Sequence, residues 1–373
     1  MNKNVPEIRF EGFSDEWKEN ILSDMTHNIG TGKSKFILNK MSNLFQYPIL
    51  GSTSIIGYDS GYDYKGNFIL TARVGANAGN LYRYSGKVKI TDNTIFIQTK
   101  NLEFIYALLS DFDLKKLSFG TGQPLLKASE LKNSKFYFTS VSEQTKIGNF
   151  FKELDERITI ASQELDRLKE TKQGFLQKMF PKDGETMPKI RFGGFDDEWE
   201  NVKLEKIALI TMGQSPNSVN YTSNPNDHIL VQGNADIKNG KVVPRVWSTQ
   251  ITKTADVGDI ILSVRAPVGD VGITEYNIVI GRGVAAVKAN DFIHQTLLRM
   301  KYTGYWTRYV TGSTFESINS NNLKEALVIT PHKEEQTAIG NFFKKLDDTI
   351  ALQQKELELL KETKKGFLQK MFI

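Results

Sequence analysis

The chain of 373 residues contains no cysteine. Disulfides, thiolate metal sites and cysteine nucleophiles are therefore excluded, and the composition fits a reducing cytoplasm. Long apolar runs are absent too, none approaching the roughly 18 residues that a membrane span needs. The first ten residues, MNKNVPEIRF, carry no apolar signal core, so no membrane partner is expected. Histidine is scarce: His27, His228, His294 and His332 stand apart, without HxxxH or HExxH spacing, which speaks against a metal site. None of the 10 prolines adjoins another, so the Asn/Asp-Pro-Pro-aromatic loop of adenine methyltransferases is missing. There is no GxSxG elbow. NIGTGKS, residues 28–34, resembles the end of a phosphate-binding loop, but that pattern needs glycine where His27 stands. The carboxylate pair Asp196–Asp197 reads as a solvated turn. No catalytic constellation assembles, and the chain is expected to be neither an enzyme nor the holder of a cofactor. A net charge of +5 with a pI near 8.9 permits nucleic-acid binding without demanding it.

What the chain does contain is a repeat. GFLQKMF occurs at 174–180 and again at 366–372. Extended leftward, the match joins Glu143–Phe180 to Glu335–Phe372 at a constant offset of 192, with 26 of 38 positions identical. A second match pairs PEIRFEGFSDEW, Pro6–Trp17, with PKIRFGGFDDEW, Pro188–Trp199, at an offset of 182. The chain is thus two tandem units of one plan: PxIRFxGFxDEW, a variable stretch, EQTxIGNFF and a long helix. The expected boundaries are a globule at 1–142, a helix at 143–180, a globule at 181–334 and a helix at 335–373.

In the first long segment apolar residues fall at Ile147, Phe151, Leu154, Ile158, Ala161, Leu165 and Leu168, in alternating steps of four and three. The second repeats the seam at Ile339, Phe343, Leu346, Ile350, Leu357 and Leu360, with Gln353 in the remaining slot. This is a heptad pattern, and the segments are rich in good helix formers. A rod of about 55 Å is expected from each. Two rods with matching seams favour pairing with each other, antiparallel, so that the units exchange ends about a pseudo-two-fold axis. The variable stretches alternate short apolar runs with Gly, Asn and Asp over 66–100 and 258–290, which predicts strands and hairpins. A short helix follows each, over 102–112 and 292–309. Matching turns then begin at Gly120 and Gly312. The expected fold is mixed α/β globules with long helices, in two copies.

PxIRFxGFxxxW, EQTxIGNFF and LKETKxGFLQKMF together resemble the specificity (S) subunits of Type I restriction–modification enzymes, over the whole chain. The resemblance implies that each globule is a target recognition domain reading one half of a bipartite site in double-stranded DNA. It implies that the helices form an antiparallel coiled coil, which sets the spacer and docks two methyltransferase (M) subunits. Those subunits carry adenine methylation and bind S-adenosylmethionine. Two restriction (R) subunits would add ATP- and Mg-dependent translocation and cleavage. The repeat itself argues the same way, since a bipartite target needs two readers at a fixed separation. Half-sites one helical turn apart lie roughly 34 Å from one another, within reach of the rods. Two other readings remain: a stand-alone two-headed DNA-binding regulator, and a tether with carbohydrate- or peptide-binding globules.

DNA contacts go mostly to phosphates, with a minority to base edges. Long polar side chains on loops or strand ends are therefore the candidates. These are Lys33, Lys35, Arg73, Asn77, Arg83 and Lys127 in the first globule, and Gln214, Asn217, Arg265, Arg282 and Arg299 in the second. Arg73 in ILTARVG and Arg265 in ILSVRAP align at the offset of 192, which suggests a shared task such as phosphate positioning. For partner docking the candidates are Phe150, Phe151, Phe175 and Met179, with their counterparts Phe342, Phe343, Phe367 and Met371. The LQKMF tails are expected to expose Met and Phe unless a partner covers them, leaving the isolated chain poorly soluble.

Overall fold

The computed structural model describes residues 4–119, 124–309 and 317–373. The chain divides into two compact units, Met1–Gln163 with Gln354–Ile373, and Glu164–Gln353. The division falls inside both long helices. The boundaries expected at 142/143 and 334/335 instead lie within two residues of the helix starts, the helices running Val141–Lys178 and Lys333–Met371. The heptad seams are the inward faces of these helices. Ile147, Phe151, Leu154, Ala161 and Leu165 are buried, as are Ile339, Phe343 and Leu357. The expected turns at Gly120 and Gly312 lie outside the described residues.

In unit 1 a six-stranded sheet has the order Asn28–Thr31, Thr94–Gln98, Tyr64–Ala72, Leu81–Ile90, Tyr47–Leu50, Ile55–Asp59. Neighbours are antiparallel except Tyr47–Leu50 against Leu81–Ile90. Unit 2 repeats the start of this order with Leu209–Met212, Val284–Lys288 and Ile260–Ser263, then continues differently and adds a five-stranded sheet. Short helices follow the hairpins, the first at Leu102–Phe112 as expected, the second at Asp291–Tyr302, ending short of the expected residue 309, with a separate 3-10 turn over Tyr305–Tyr309. The chain enters and leaves each globule through a two-stranded clasp. Lys18–Ile21 pairs antiparallel with Lys135–Phe138, and Glu200–Lys203 with Leu327–Thr330.

The repeated motifs build one frame twice. In unit 1, Arg9 donates from Nε and Nη2 to the two carboxylate oxygens of Glu143, at 2.6 and 2.8 Å. In unit 2, Arg191 does the same to Glu335 at 2.7 and 2.8 Å. Both glutamates are buried, so the Arg of IRF neutralises the Glu of EQT in a bidentate fork. That hydrogen bond raises each arginine's pKa above its ordinary value. The neighbouring glutamines accept from Asn101 and Asn290, each at 2.9 Å, tying the long helix to the start of the short one. The helix glycines exist for the same contact. A Cβ on Gly148 would sit 2.8 Å from the nitrogen of Phe104, and one on Gly340 3.0 Å from that of Phe292.

The tails close each core. Phe372 packs against Trp17, Phe104 and Phe151 with ring centroids 5.7 to 6.1 Å away. Phe180 packs against the counterparts Trp199, Phe292 and Phe343 at 5.3 to 6.1 Å. Ile8 donates its backbone N–H to Lys370, and Ile190 to Lys178, both at 2.9 Å. Within unit 1 the helical segments run antiparallel, since Phe150 meets Phe367 at 5.0 Å while Lys364 pairs with Asp155. Within unit 2 Phe175 meets Phe342 at 5.0 Å and Lys172 pairs with Asp347.

This corrects the expected exposure of the tails. Met179, Phe180, Met371 and Phe372 are buried, as are Phe151 and Phe343. Phe151, Met179, Phe343 and Met371 are therefore core residues with no surface to offer a partner. Phe150, Phe175, Phe342 and Phe367 are half-buried and meet edge to face in two pairs, Phe150 with Phe367 and Phe175 with Phe342. The reason given for poor solubility disappears with the exposure.

Candidate nucleic-acid interface

In unit 1 three neighbouring strands bring several candidates to one end of the sheet. Asn28–Thr31 ends opposite the start of Thr94–Gln98, and Tyr64–Ala72 ends beside it, with Ala72 opposite Thr94. Beyond these ends, Gly32 donates to the carbonyl of Thr94 and Arg73 to that of Asn93. The carbonyl of Arg73 in turn accepts from Leu126 at 2.8 Å, which puts Lys127 next to it. Lys33, Lys35, Arg73, Asn77 and Lys127 are all exposed. The Lys127 ammonium lies 5.5 Å from the ring centre of Phe119, a large apolar residue on the surface.

Unit 2 assembles the same edge from Leu209–Met212, Val284–Lys288 and Ile260–Ser263. Gly213 donates to the carbonyl of Val284 and Val264 to that of Gly283. Gln214, Arg265 and Arg282 stand exposed there. Asn217 is exposed as well, its Oδ1 capping the backbone N–H of Val219 at 3.2 Å.

Arg83 and Arg299 are elsewhere and engaged. Arg83 faces Asp155 at 3.1 Å and Glu103 at 3.0 Å, with its guanidinium 4.6 Å from the Tyr106 ring centre. Arg299 donates to the carbonyl of Pro181 and lies over the Phe180 ring, and burial lowers its pKa from the usual arginine range. Both serve the fold of their own units.

The alignment of Arg73 with Arg265 also changes. Val74 bridges Leu125, whereas Arg265 bridges Ser317. Leu126 donates to the carbonyl of Arg73, whereas Ile318 donates to that of Val264. Measured against this partner segment, Arg265 occupies the place of Val74. A one-residue shift in an extended segment turns a side chain to the opposite face, so the two arginines do not hold equivalent positions.

Two corner residues were not singled out by sequence reasoning. A Cβ on Gly32 would lie 2.3 Å from the carbonyl oxygens of Ile90 and Thr91, and one on Gly213 2.1 Å from that of Gly281. Two residues on, Ser34 Oγ accepts the backbone N–H of Ile90 at 3.0 Å, and Ser215 Oγ that of Arg282 at 3.1 Å. Gly-x-Ser thus forms the same pinned corner in both units, with Lys33 in one middle place and Gln214 in the other. The signal was present in TGKS and MGQS, but three letters are too few to notice beside a repeat of 38. Among the described residues no cluster of three or more His, Asp or Glu could hold a metal ion, and no helix is long and apolar enough to cross a membrane.

Comparison with known proteins agrees with this architecture. The Type I restriction modification DNA specificity domain matches twice, over residues 14–170 and 196–362. The chain belongs to that family and carries two copies of its domain. A Methanocaldococcus jannaschii protein named as the MjaX type I restriction enzyme specificity subunit is 31% identical over 255 residues, which cover 66% of this chain and 60% of the relative. The MjaVIII specificity subunit of the same organism is 25% identical over 336 residues, 81% of this chain and 77% of the relative. Among solved structures, the S subunit of a Type I restriction-modification system from M. genitalium superposes with a TM-score of 0.71 at 15% identity, covering 99% of both chains. It shares the fold.

Proposed function

We propose that this chain is the DNA-recognition subunit of a type I restriction–modification assembly and is itself non-catalytic. Each globule reads one half of a bipartite double-stranded target through the sheet end carrying the Gly-x-Ser corner. The long helices pair as an antiparallel coiled coil about a pseudo-two-fold axis and set the spacer between the half-sites. The assembly works in the cytoplasm. Two methyltransferase subunits, binding S-adenosylmethionine, dock on the helices, and two restriction subunits bring ATP and Mg.

One observation carries this reading. The frame of Arg–Glu fork, glycine contact and aromatic seat occurs twice with the same residues, while the exposed side chains at the two sheet ends differ. A protein that meets one kind of partner twice and two DNA sequences once each needs that division. A stand-alone regulator has no use for two matched helix surfaces. For docking, Ile160 and Leu352 replace the buried phenylalanines and methionines. They align at the offset of 192 and are 55% and 69% exposed.

Methylation-sensitive sequencing of genomic DNA tests the proposal, in cells expressing the methyltransferase partner with and without this chain. A bipartite motif methylated in both halves only when the chain is present is the expected result. Active partner without chain-dependent methylation would refute it. Ile160→Ala with Leu352→Ala should leave stability within about 0.5 kcal/mol, as exposed substitutions do, while weakening partner association in pull-down titrations.

A further inference from the structure

Both pinned corners open into loops of unusual composition. No Asp or Glu stands between Asp24 and Asp59, a run of 34 residues, although the chain holds 43 acidic residues in 373. Lys33, Lys35 and Lys40 lie exposed in that run. In unit 2 the run between Glu205 and Asp227 is 21 residues long, also without a carboxylate. Two carboxylates from elsewhere in unit 1 reach its corner, Asp92 exposed in the turn that Gly32 packs on and Asp59 accepting the backbone N–H of Ile37 with Lys89 4.0 Å away, so it is the loops themselves that lack the charge that would repel a polyanion.

Each loop also exposes a β-branched apolar side chain a few residues beyond its corner. Ile37 is 77% exposed, five residues after Gly32, and Val219 is 83% exposed, six residues after Gly213. The stems are rigid. The corner serines are held by backbone N–H groups, Asn39 bridges Tyr58 on the sheet edge, and Asn217 is fixed by Gln250 at 2.9 Å. A side chain that gains nothing in its own fold, on a stem fixed by hydrogen bonds and flanked by uncompensated lysines or amides, is built to contact a neutral surface within a polyanion. The bases of DNA are that surface, offering thymine methyls and base-step edges to apolar groups.

We propose that Ile37 and Val219 are specificity-determining residues that make apolar contact with bases, one in each half-site. Lys33 and Gln214 sit at the loop stems, Lys33 on a phosphate and Gln214 within reach of a base edge. This rests on the proposed function and deepens it, because it names the loop that reads.

Selection from a pool of random-sequence duplexes by the full-length chain tests it, with the retained DNA sequenced. The wild-type chain should enrich a bipartite motif. Ile37→Ala should relax letters in one half only, with about a tenfold loss of preference for the selected motif, as expected for one lost base contact. Val219→Ala should relax the other half only. Lys33→Ala should weaken binding to all sequences and lower the salt slope by about one. Thermal unfolding confirms that the variants are folded, which their exposure favours. Alanine variants that retain both half-motifs at wild-type preference would overturn the loop assignment and leave DNA reading intact. A wild-type chain that enriches no motif, with binding indifferent to salt, would overturn the proposed function and this inference together.

Discussion

The seat of Phe372 and the seat of Phe180 are made of the same residue types in the same places, while the loops leaving Gly32 and Gly213 share only their corner. Trp, Phe and Phe surround each tail phenylalanine, whereas the exposed Lys33 and Ile37 in one loop answer to the exposed Gln214 and Val219 in the other. Identity is kept where a side chain fills a closed space, because a change of one methylene is felt in a packed core. Freedom is found where the backbone is pinned by glycine and serine and the side chain faces solvent. The two units therefore differ where difference costs no stability.

The largest effect should come from emptying the seats. Phe372→Ala and Phe180→Ala should each cost about 3–5 kcal/mol, felt in unit 1 and unit 2 respectively. Hydrogen exchange under denaturant titration resolves the units. Unequal losses would break the equivalence of the two seats. Next come the forks. Arg9→Ala or Arg191→Ala leaves a buried glutamate without its cation and should cost about 3 kcal/mol, at the lower end for a broken buried pair because each guanidinium keeps some exposure. Arg9→Met with Glu143→Leu should recover most of it, by the same denaturation midpoints.

A smaller effect distinguishes the units instead of equating them. Beside the Lys172–Asp347 pair, unit 2 buries His294, whose Nδ1 meets Gln295 at 3.1 Å. Burial first, and the charge of Lys172 second, push its pKa down to about 4, against an opposing pull from Asp347. The folded pKa lies below the ordinary histidine value, so the unfolded chain binds the extra proton first. Stability from this group is complete above about pH 6.5 and is lost as pH falls toward 4, by up to ~3 kcal/mol. Unit 1 has Arg83 and Tyr106 at the equivalent ion pair and should lack this loss. Equal acid sensitivity of the two units, or an unchanged profile in His294→Gln, would contradict it.

Much of the frame was legible in the sequence. The heptad steps place Ile147, Phe151 and Leu154 on the buried face, and the repeated IRF and EQT motifs mark two equal frames. The tails were misjudged because their seats are remote: Phe372 packs on Trp17, at the other end of the sequence, and composition alone made Met and Phe look exposed. Arg83 was misjudged because Asp155 and Glu103 approach it only after the chain folds. The equivalence of Arg73 and Arg265 failed by one residue, since letters align by identity while strands align by hydrogen bonds.

The most direct measurement exchanges one reader within the fixed frame. Residues 18–138, closed by the clasp of Lys18–Ile21 and Lys135–Phe138, would be replaced by the corresponding globule of another family member, and the methylated motif read by sequencing. The account predicts that one half of the motif changes while the other half and the spacer persist. A folded exchange chain that alters both halves, or leaves both unchanged, would contradict it.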